Sequence, residues 1–379
     1  MPEGDGPRVL MAVQQLRRQV PGGIGNYARG LLKGLRACAE AGQDVDLTLL
    51  ASRPPGRGRR DALADFDRPL IASPLPGPAL TRLWDHGLWR LPPGFDVVHS
   101  VSLAFPPIRP SVHSVVTVHD VAWRRFPHAT TPRGARWHEA ALCRARDSQA
   151  FMVVPSRFVA ADLYADGIDE RRITVIKGGS DHLVPADQPA TDEELARLGV
   201  TGPFLLTVST LEPRKNVDRL LAAYRALRLS LPEPWPLLIV GPTGWGPQLL
   251  PSPEEQAGVI LVGAVPGPVL TGLYQRAGAF AYVPLTEGYG LPPLEAMRLG
   301  TPTMVSTQVP SVRDLGETGQ APAIVVDPLD VDAIAAGLFT VMTDEAVRAD
   351  LSARGTVHAT ARTWRSVAEQ HRALWRSLT

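Results

Sequence analysis

Short runs of β-branched and aliphatic residues alternate with longer amphipathic stretches rich in Ala, Leu and Arg, and the alternation occurs twice along the chain. Parallel strands cannot be joined by a tight turn and need a crossover, usually a helix, so this pattern predicts parallel sheets with helices packed on their faces. In the first half, strands are expected at 8–13, 46–51, 97–100, 115–119, 151–154 and 173–176, with helices at 25–41, 132–146 and 156–165. Residues 52–78 gather Pro, Gly and Arg and read as a surface excursion carrying Arg57, Arg59 and Arg60. The pattern lapses over 179–198. It resumes with strands at 204–209, 237–240, 259–261, 279–283 and 303–306, and helices at 217–229, 269–277 and 292–299. A last helix over 363–378 places Trp364, Val367, Leu374 and Leu378 on one stripe.

A chain of 379 residues is long for one hydrophobic core. The expected architecture is α/β, with two Rossmann-like doubly wound domains at 1–182 and 201–362 and a linker at 183–200. The helix at 363–379 is expected to pack back onto the first domain. Two such sheets facing one another leave a cleft at the carboxyl ends of their strands, where ligands of this fold class bind. A net charge of +1 supplies no global field toward nucleic acid. Cys38 and Cys143 form neither a disulfide framework nor a CxxC metal site, which fits a reducing, cytoplasmic setting. Residues 1–7 have no apolar core of a signal peptide, and no apolar run reaches the length of a membrane span.

Chemistry concentrates in Thr286-Glu287-Gly288-Tyr289-Gly290-Leu291-Pro292-Pro293-Leu294-Glu295-Ala296-Met297. Read locally, a strand ends at Glu287, a Gly-x-Gly turn follows, and Pro occupies the first helical positions, where a missing N–H costs least. Gly300 suits the helix C-terminus. The helix start is a ready anion site, with Glu287 and Glu295 on either side of it to hold sugar hydroxyls and a ribose diol. The two glutamates taken alone also suit a solvated cap and a surface helix charge.

Arg214 and Lys215 follow the first strand of the second domain, where two cations can neutralise charge on a departing diphosphate. Lysine is scarce, occurring only as Lys33, Lys177 and Lys215. Gly22, Gly23 and Gly25 allow close backbone approach and open a helix. Gly23-x-Gly25-x-x-Ala28 also matches a dinucleotide fingerprint, but Gln14 to Gly22 separate it from its strand and strand two ends in Leu49-Leu50-Ala51 without an acid. An NAD site is therefore not expected. His119 ends an apolar strand, a place where imidazoles are commonly satisfied core groups, and Asp120 beside it could orient or accept protons. No His/Cys ligand cluster occurs, so no catalytic metal or other cofactor is expected.

The segment from Glu287 to Glu295 resembles the signature of glycosyltransferase family 4, retaining enzymes of the GT-B fold. Four further segments resemble that family in the same order. They are Pro21-Gly22-Gly23-Ile24-Gly25-Asn26-Tyr27, Thr117-Val118-His119-Asp120, Val154-Pro155-Ser156-Arg157-Phe158 and Leu211-Glu212-Pro213-Arg214-Lys215-Asn216. The resemblance spans residues 8 to about 375. It implies a first domain on the acceptor side and a second that binds a nucleotide sugar.

By the same resemblance His119, Glu287 and Asp120 are catalytic. The donor is held by Gly23, Gly25, Thr210, Arg214, Lys215, Val262, Gly263, Gly288, Tyr289, Gly290, Leu291 and Glu295. Many members carry an arginine where this chain has Thr210, which leaves the diphosphate to Arg214 and Lys215. The Leu-Glu-Pro-Arg-Lys-Asn and His-Asp-Val-Ala-Trp segments resemble branches that use GDP-mannose or dTDP-linked deoxysugars, with UDP-sugars also open. The acceptor is a glycan, a lipid-linked glycan or a small molecule, nucleic acid is no partner, and the arginines at 57–60 allow weak peripheral membrane contact. A sugar-nucleotide epimerase or phosphorylase of the same fold, and a non-catalytic nucleotide-sugar-binding subunit, are the alternative readings.

Overall fold

The computed structural model describes residues 6–18, 22–56, 60–107, 109–244, 257–313 and 319–379. The chain divides into two compact units. One comprises residues 1–124, 130–182 and 363–379, and the other residues 125–129 and 183–362.

The first unit holds a seven-stranded sheet of β1 (Val9–Ala12), β2 (Leu47–Ala51), β3 (Leu70–Ala72), β4 (Val97–Ser100), β5 (His113–Thr117), β6 (Phe151–Val154) and β7 (Ile173–Val175). All pairs are parallel, in the order β3-β2-β1-β4-β5-β6-β7. The order reverses between β1 and β4, and such a switch point opens a crevice at the strand ends. The crossovers include α1 (Gly22–Glu40), α2 (Gly77–Asp85), α3 (Ala122–Arg125), α4 (Pro132–Asp147) and α5 (Arg157–Ala165). β1 is buried at all four positions, as a parallel strand covered on both faces is.

In the second unit α6 (Gln188–Arg197) precedes β8 (Leu205–Val208), α7 (Val217–Arg228), β9 (Leu237–Val240), β10 (Val259–Gly263), α8 (Gly267–Arg276) and β11 (Ala279–Tyr282). There follow α9 (Leu291–Arg298), β12 (Thr303–Ser306), α10 (Pro310–Arg313), β13 (Ile324–Val326), α11 (Val331–Thr343) and α12 (Glu345–Thr360). The sheet is again parallel, in the order β10-β9-β8-β11-β12-β13, with its switch point between β8 and β11. The chain closes with α13 (Trp364–Ser377), which packs along α1 in the first unit. Their contact is a slot for Trp364. A Cβ at Gly30 would lie 2.1 Å from its indole, and one at Gly34 2.0 Å from its carbonyl oxygen.

Several expectations need correcting. The expected linker at 183–200 contains α6, capped by Asp187 Oδ1 accepting from Ala190 N at 3.1 Å, with Leu195 and Thr191 buried in the second unit. The excursion at 52–78 contains β3 and the start of α2. Arg57 and Arg59 lie outside the described residues, and Arg60 pairs with Asp65. β11 ends at Tyr282, so Glu287 sits in a loop rather than at a strand end. His119 likewise lies two residues beyond the end of β5. The buried face of α13 runs through Trp364, Val367, His371 and Trp375, while Leu374 and Leu378 are only half-buried. Among the described residues no helix is long and apolar enough to cross a membrane.

Candidate active site

In the second unit the polypeptide leaves β8 into a loop whose 3-10 turn, Pro213–Lys215, ends at Asn216 in the left-handed conformation with φ 58°. Asn216 is fully buried, and its side-chain amide donates to the carbonyl oxygens of Val283 at 2.9 Å and Pro328 at 2.8 Å. Its Oδ1 accepts from Arg219 at 2.8 Å. One side chain thus ties the β8 loop to the exits of β11 and β13. The main chain adds Leu285 N donating to Arg214 O at 2.8 Å.

This anchoring sets two cations against one carboxylate. Arg214 Nη1 lies 3.3 Å from Glu287 Oε1, and Lys215 Nζ donates to the same oxygen. Tyr282, at the end of β11, donates its hydroxyl to that oxygen at 2.6 Å and accepts from Lys215 Nζ at 2.7 Å. Glu212 holds the far side of Arg214, Oε1 to Nη2, at 2.8 Å. Glu287 is 9% exposed. Burial alone would raise its pKa, but Lys215 and Arg214 outweigh that and hold it at about 2. Burial and the neighbouring Arg214 lower Lys215, and burial next to Glu287 pushes Tyr282 well up.

Beyond Glu287 the chain turns at Gly290, φ 95°, where a Cβ would lie 2.6 Å from Val309 Cγ1, so glycine is required there on two counts. The turn is fixed by Ser311, whose N donates to Tyr289 O at 2.9 Å and whose hydroxyl donates to Gly290 O at 2.7 Å. Burial raises the Tyr289 phenol to about 12, against the pull of Arg362. Leu291 then begins α9. Gly288 belongs to the same turn. Glu295, one turn further and 3% exposed, accepts from the Tyr274 hydroxyl at 2.9 Å. Val262 and Gly263 end β10, two strands from β8, where the register shifts and Gly263 has φ 78°. Thr210 borders the bridge between Leu211 and Thr243.

In the first unit, Gly23 and Gly25 fall in the first turn of α1. A cavity beyond the ends of β1, β4 and β5 is lined by Gln15, Arg18, Ile24, His119, Asp120 and Trp123, among others. His119 Nε2 lies 2.8 Å from Val101 O. A carbonyl only accepts, so this nitrogen carries the hydrogen. Burial lowers the imidazole pKa against the opposing pulls of Val101 and Asp120, which leaves the ring neutral with its lone pair on Nδ1. Asp120 Oδ1 accepts from Ala122 N at 3.0 Å at the start of α3. His99, by contrast, is fully buried and hydrogen-bonded to Thr117 Oγ1 at 3.0 Å.

Sequence reasoning did not single out Asn216, Tyr282 or Tyr274 as site residues. Tyr282 and Tyr274 sit in apolar runs that look like core, and nothing local shows that their hydroxyls find carboxylates. Asn216 did carry a signal, since asparagine directly before a helix is a common left-handed residue.

Two family models match the chain, one described as Glycosyltransferase Family 4 over residues 21–182 and one as Glycosyl transferases group 1 over residues 191–358. With the two doubly wound units, these matches define a glycosyltransferase of the GT-B class. The chain is 28% identical to the O-antigen chain mannosyltransferase B of Escherichia coli, covering 96% of this chain and 98% of that one. It is 25% identical to the D-inositol 3-phosphate glycosyltransferase of Corynebacterium urealyticum, covering 94% and 91%. In fold it resembles Anabaena HepE in complex with UDP and glucose, with a TM-score of 0.71, 17% identity and coverage of 97% and 99%. The chain belongs to glycosyltransferase family 4.

Proposed function

We propose that this enzyme transfers mannose from GDP-mannose to a glycan hydroxyl, with retention of anomeric configuration and without a metal ion. The observation that carries the reading is the convergence of Arg214, Lys215 and Tyr282 on Glu287 Oε1 at the switch point of the second sheet. Two cations held beside a carboxylate are preorganised for a diphosphate, because its oxygens can replace Glu287 on Lys215 and Arg214 without rebuilding the loop. The released Glu287 oxygen then accepts from a sugar hydroxyl. As the bond between sugar and phosphate breaks, negative charge gathers on the leaving phosphate and is stabilised by both cations. Glu295 takes the ribose diol, and the end of β10 at Val262 and Gly263 borders the base.

The acceptor occupies the His119 cavity of the first unit, where Nδ1 of His119 and the Asp120 carboxylate are both acceptors for hydroxyl groups. Mannose is favoured by the likeness to a mannosyltransferase along nearly the whole chain. A metal-free mechanism is supported by the two cations, which supply the charge a metal would bring, and by the lack of any cluster of three potential ligands among the described residues. We place the reaction in the cytoplasm, where Cys38 and Cys143, both free, stay reduced.

Thermal stabilisation by GDP, UDP, dTDP and ADP, first in EDTA and then with magnesium, tests this. The expected result is stabilisation by GDP in EDTA. Stabilisation only by UDP or dTDP overturns the donor, a requirement for magnesium overturns the metal-free reading, and no response to any nucleotide overturns the diphosphate site.

A further inference from the structure

Buried polar side chains on β4, β5, α1 and the C-terminal helix lie together, and the hydrogens on His371 and Tyr27 can be placed. His371 Nδ1 lies 2.8 Å from Val367 O, so Nδ1 carries the hydrogen. Burial lowers the His371 pKa to about 4, so the ring is neutral and Nε2 can only accept. The group 2.9 Å from Nε2 is the Tyr27 hydroxyl, which therefore donates. Thr117 Oγ1 and His99 Nε2 are hydrogen-bonded to each other at 3.0 Å on the neighbouring strands. The link from Tyr27 to His371 therefore runs in one direction and ends on the Val367 carbonyl.

The ring of Tyr27 has a second contact. It meets the His119 ring at 4.8 Å and 83°, and it meets Trp364 at 5.6 Å and 79°. Tyr27 is 3% exposed. Its hydroxyl is fixed by His371 and its ring packs against Trp364, so it forms a rigid wall beside a histidine whose Nε2 is hydrogen-bonded to Val101. Without that wall the imidazole can rotate about its Cβ–Cγ bond and lose the arrangement with Nε2 on Val101 and Nδ1 toward the cavity.

We infer that Tyr27 and His371 are positioning residues for His119, and that α13 is thereby a working part of the acceptor site rather than only a tether. The inference rests on the reading of His119 as an acceptor-site group.

The test uses full-length protein with 15N-labelled histidine, GDP-mannose as donor probe and octyl α-mannoside as acceptor probe. In the unsubstituted protein His119 shows a single neutral tautomer with hydrogen on Nε2. Tyr27→Leu mixes the two tautomers and lowers kcat about tenfold to a hundredfold, the scale of a misplaced catalytic group, with stabilisation by GDP unchanged. His371→Gln, whose side-chain oxygen can replace Nε2 as the acceptor, retains tautomer and rate, while His371→Leu loses both. A Tyr27→Leu protein with the Nε2 tautomer and an unchanged rate overturns the inference. So do His371→Gln and His371→Leu proteins with the same tautomer populations, which decides the matter if Tyr27→Leu fails to fold. An unchanged rate in His119→Ala instead overturns the acceptor-site reading, and the tautomer measurement still stands on its own.

Discussion

Lys215 Nζ lies 2.7 Å from Tyr282 Oη, and both groups donate to the same carboxylate oxygen of Glu287. Lys215 belongs to the loop after β8 and Tyr282 to the end of β11, which are neighbours only because the sheet switches direction between them. Arg214 and Glu212 complete a group of two cations and two carboxylates, so the site is charge-balanced before any ligand arrives.

That balance separates activity from stability. Glu287→Ala leaves the buried Lys215 cation without its carboxylate and should cost about 3–5 kcal/mol in urea unfolding as well as abolishing turnover. Lys215→Ala leaves Glu287 bonded to Arg214 and Tyr282, so its stability loss should be smaller, while kcat falls about a hundredfold or more. Initial rates beside urea midpoints check both. Full activity in the Lys215→Ala protein would falsify the role given to that lysine.

Asn216 is predicted to matter for stability out of proportion to its size. Asn216→Ala loses two hydrogen bonds to buried carbonyls and replaces a residue that tolerates φ 58° with one that rarely adopts it, for a combined cost of about 2–4 kcal/mol. Asn216→Gly relieves the backbone strain and should be the milder change. Equal midpoints for the two variants would mean that the backbone conformation contributes nothing.

Gly34 faces main chain rather than a side chain. A Cβ there would sit 2.0 Å from the Trp364 carbonyl oxygen, which cannot rotate away. Gly34→Ala should therefore displace α13 and destabilise the first unit by roughly 1–3 kcal/mol, the scale of overpacking. Thermal unfolding checks this, and a midpoint equal to that of the parent protein would show that α13 shifts freely along α1.

Stability should also depend on pH through His371. Its pKa is about 4 in the folded chain against an ordinary 6.5, and its titratable ring neighbours are Tyr27 and His99. A base held neutral by burial stabilises fully above its unfolded value. Between pH 6.5 and about 4 the unfolded chain binds the extra proton, so stability falls as pH falls and then levels off. The contribution is on the order of 3 kcal/mol. Urea midpoints across this window, compared with those of His371→Gln, isolate it. Identical slopes in the two proteins would assign the acid sensitivity elsewhere.

Much of this architecture was readable from local pattern. β6 and β9 lie where apolar runs stand, because a strand covered on both faces is largely apolar, and β4 and β12 show the shorter apolar runs Val97-Val98 and Met304-Val305 beside buried polar residues. The shorter β3 was not readable, since its three residues are largely exposed at a sheet edge and show no such run. α11 also escaped. It packs against both α7 and α12, so it is apolar on more than one side and lacks the single stripe that marks a surface helix. α6 resembles a linker in sequence because its Pro and acidic residues fit a loop equally well.

Local pattern is enough for the succession of most strands and helices, the turn at Gly290 that requires glycine, and the presence of charged residues in the loops after β8 and β11. These are consequences of backbone geometry and periodicity over a few residues. Which of those groups meet is a matter of long-range packing. Arg214 and Glu287 are 73 residues apart, and Tyr27 and His371 are 344 apart. Their contacts follow from strand order and from the return of the last helix to the first unit. Those features are set by packing of the whole chain, and no local pattern of side chains encodes them.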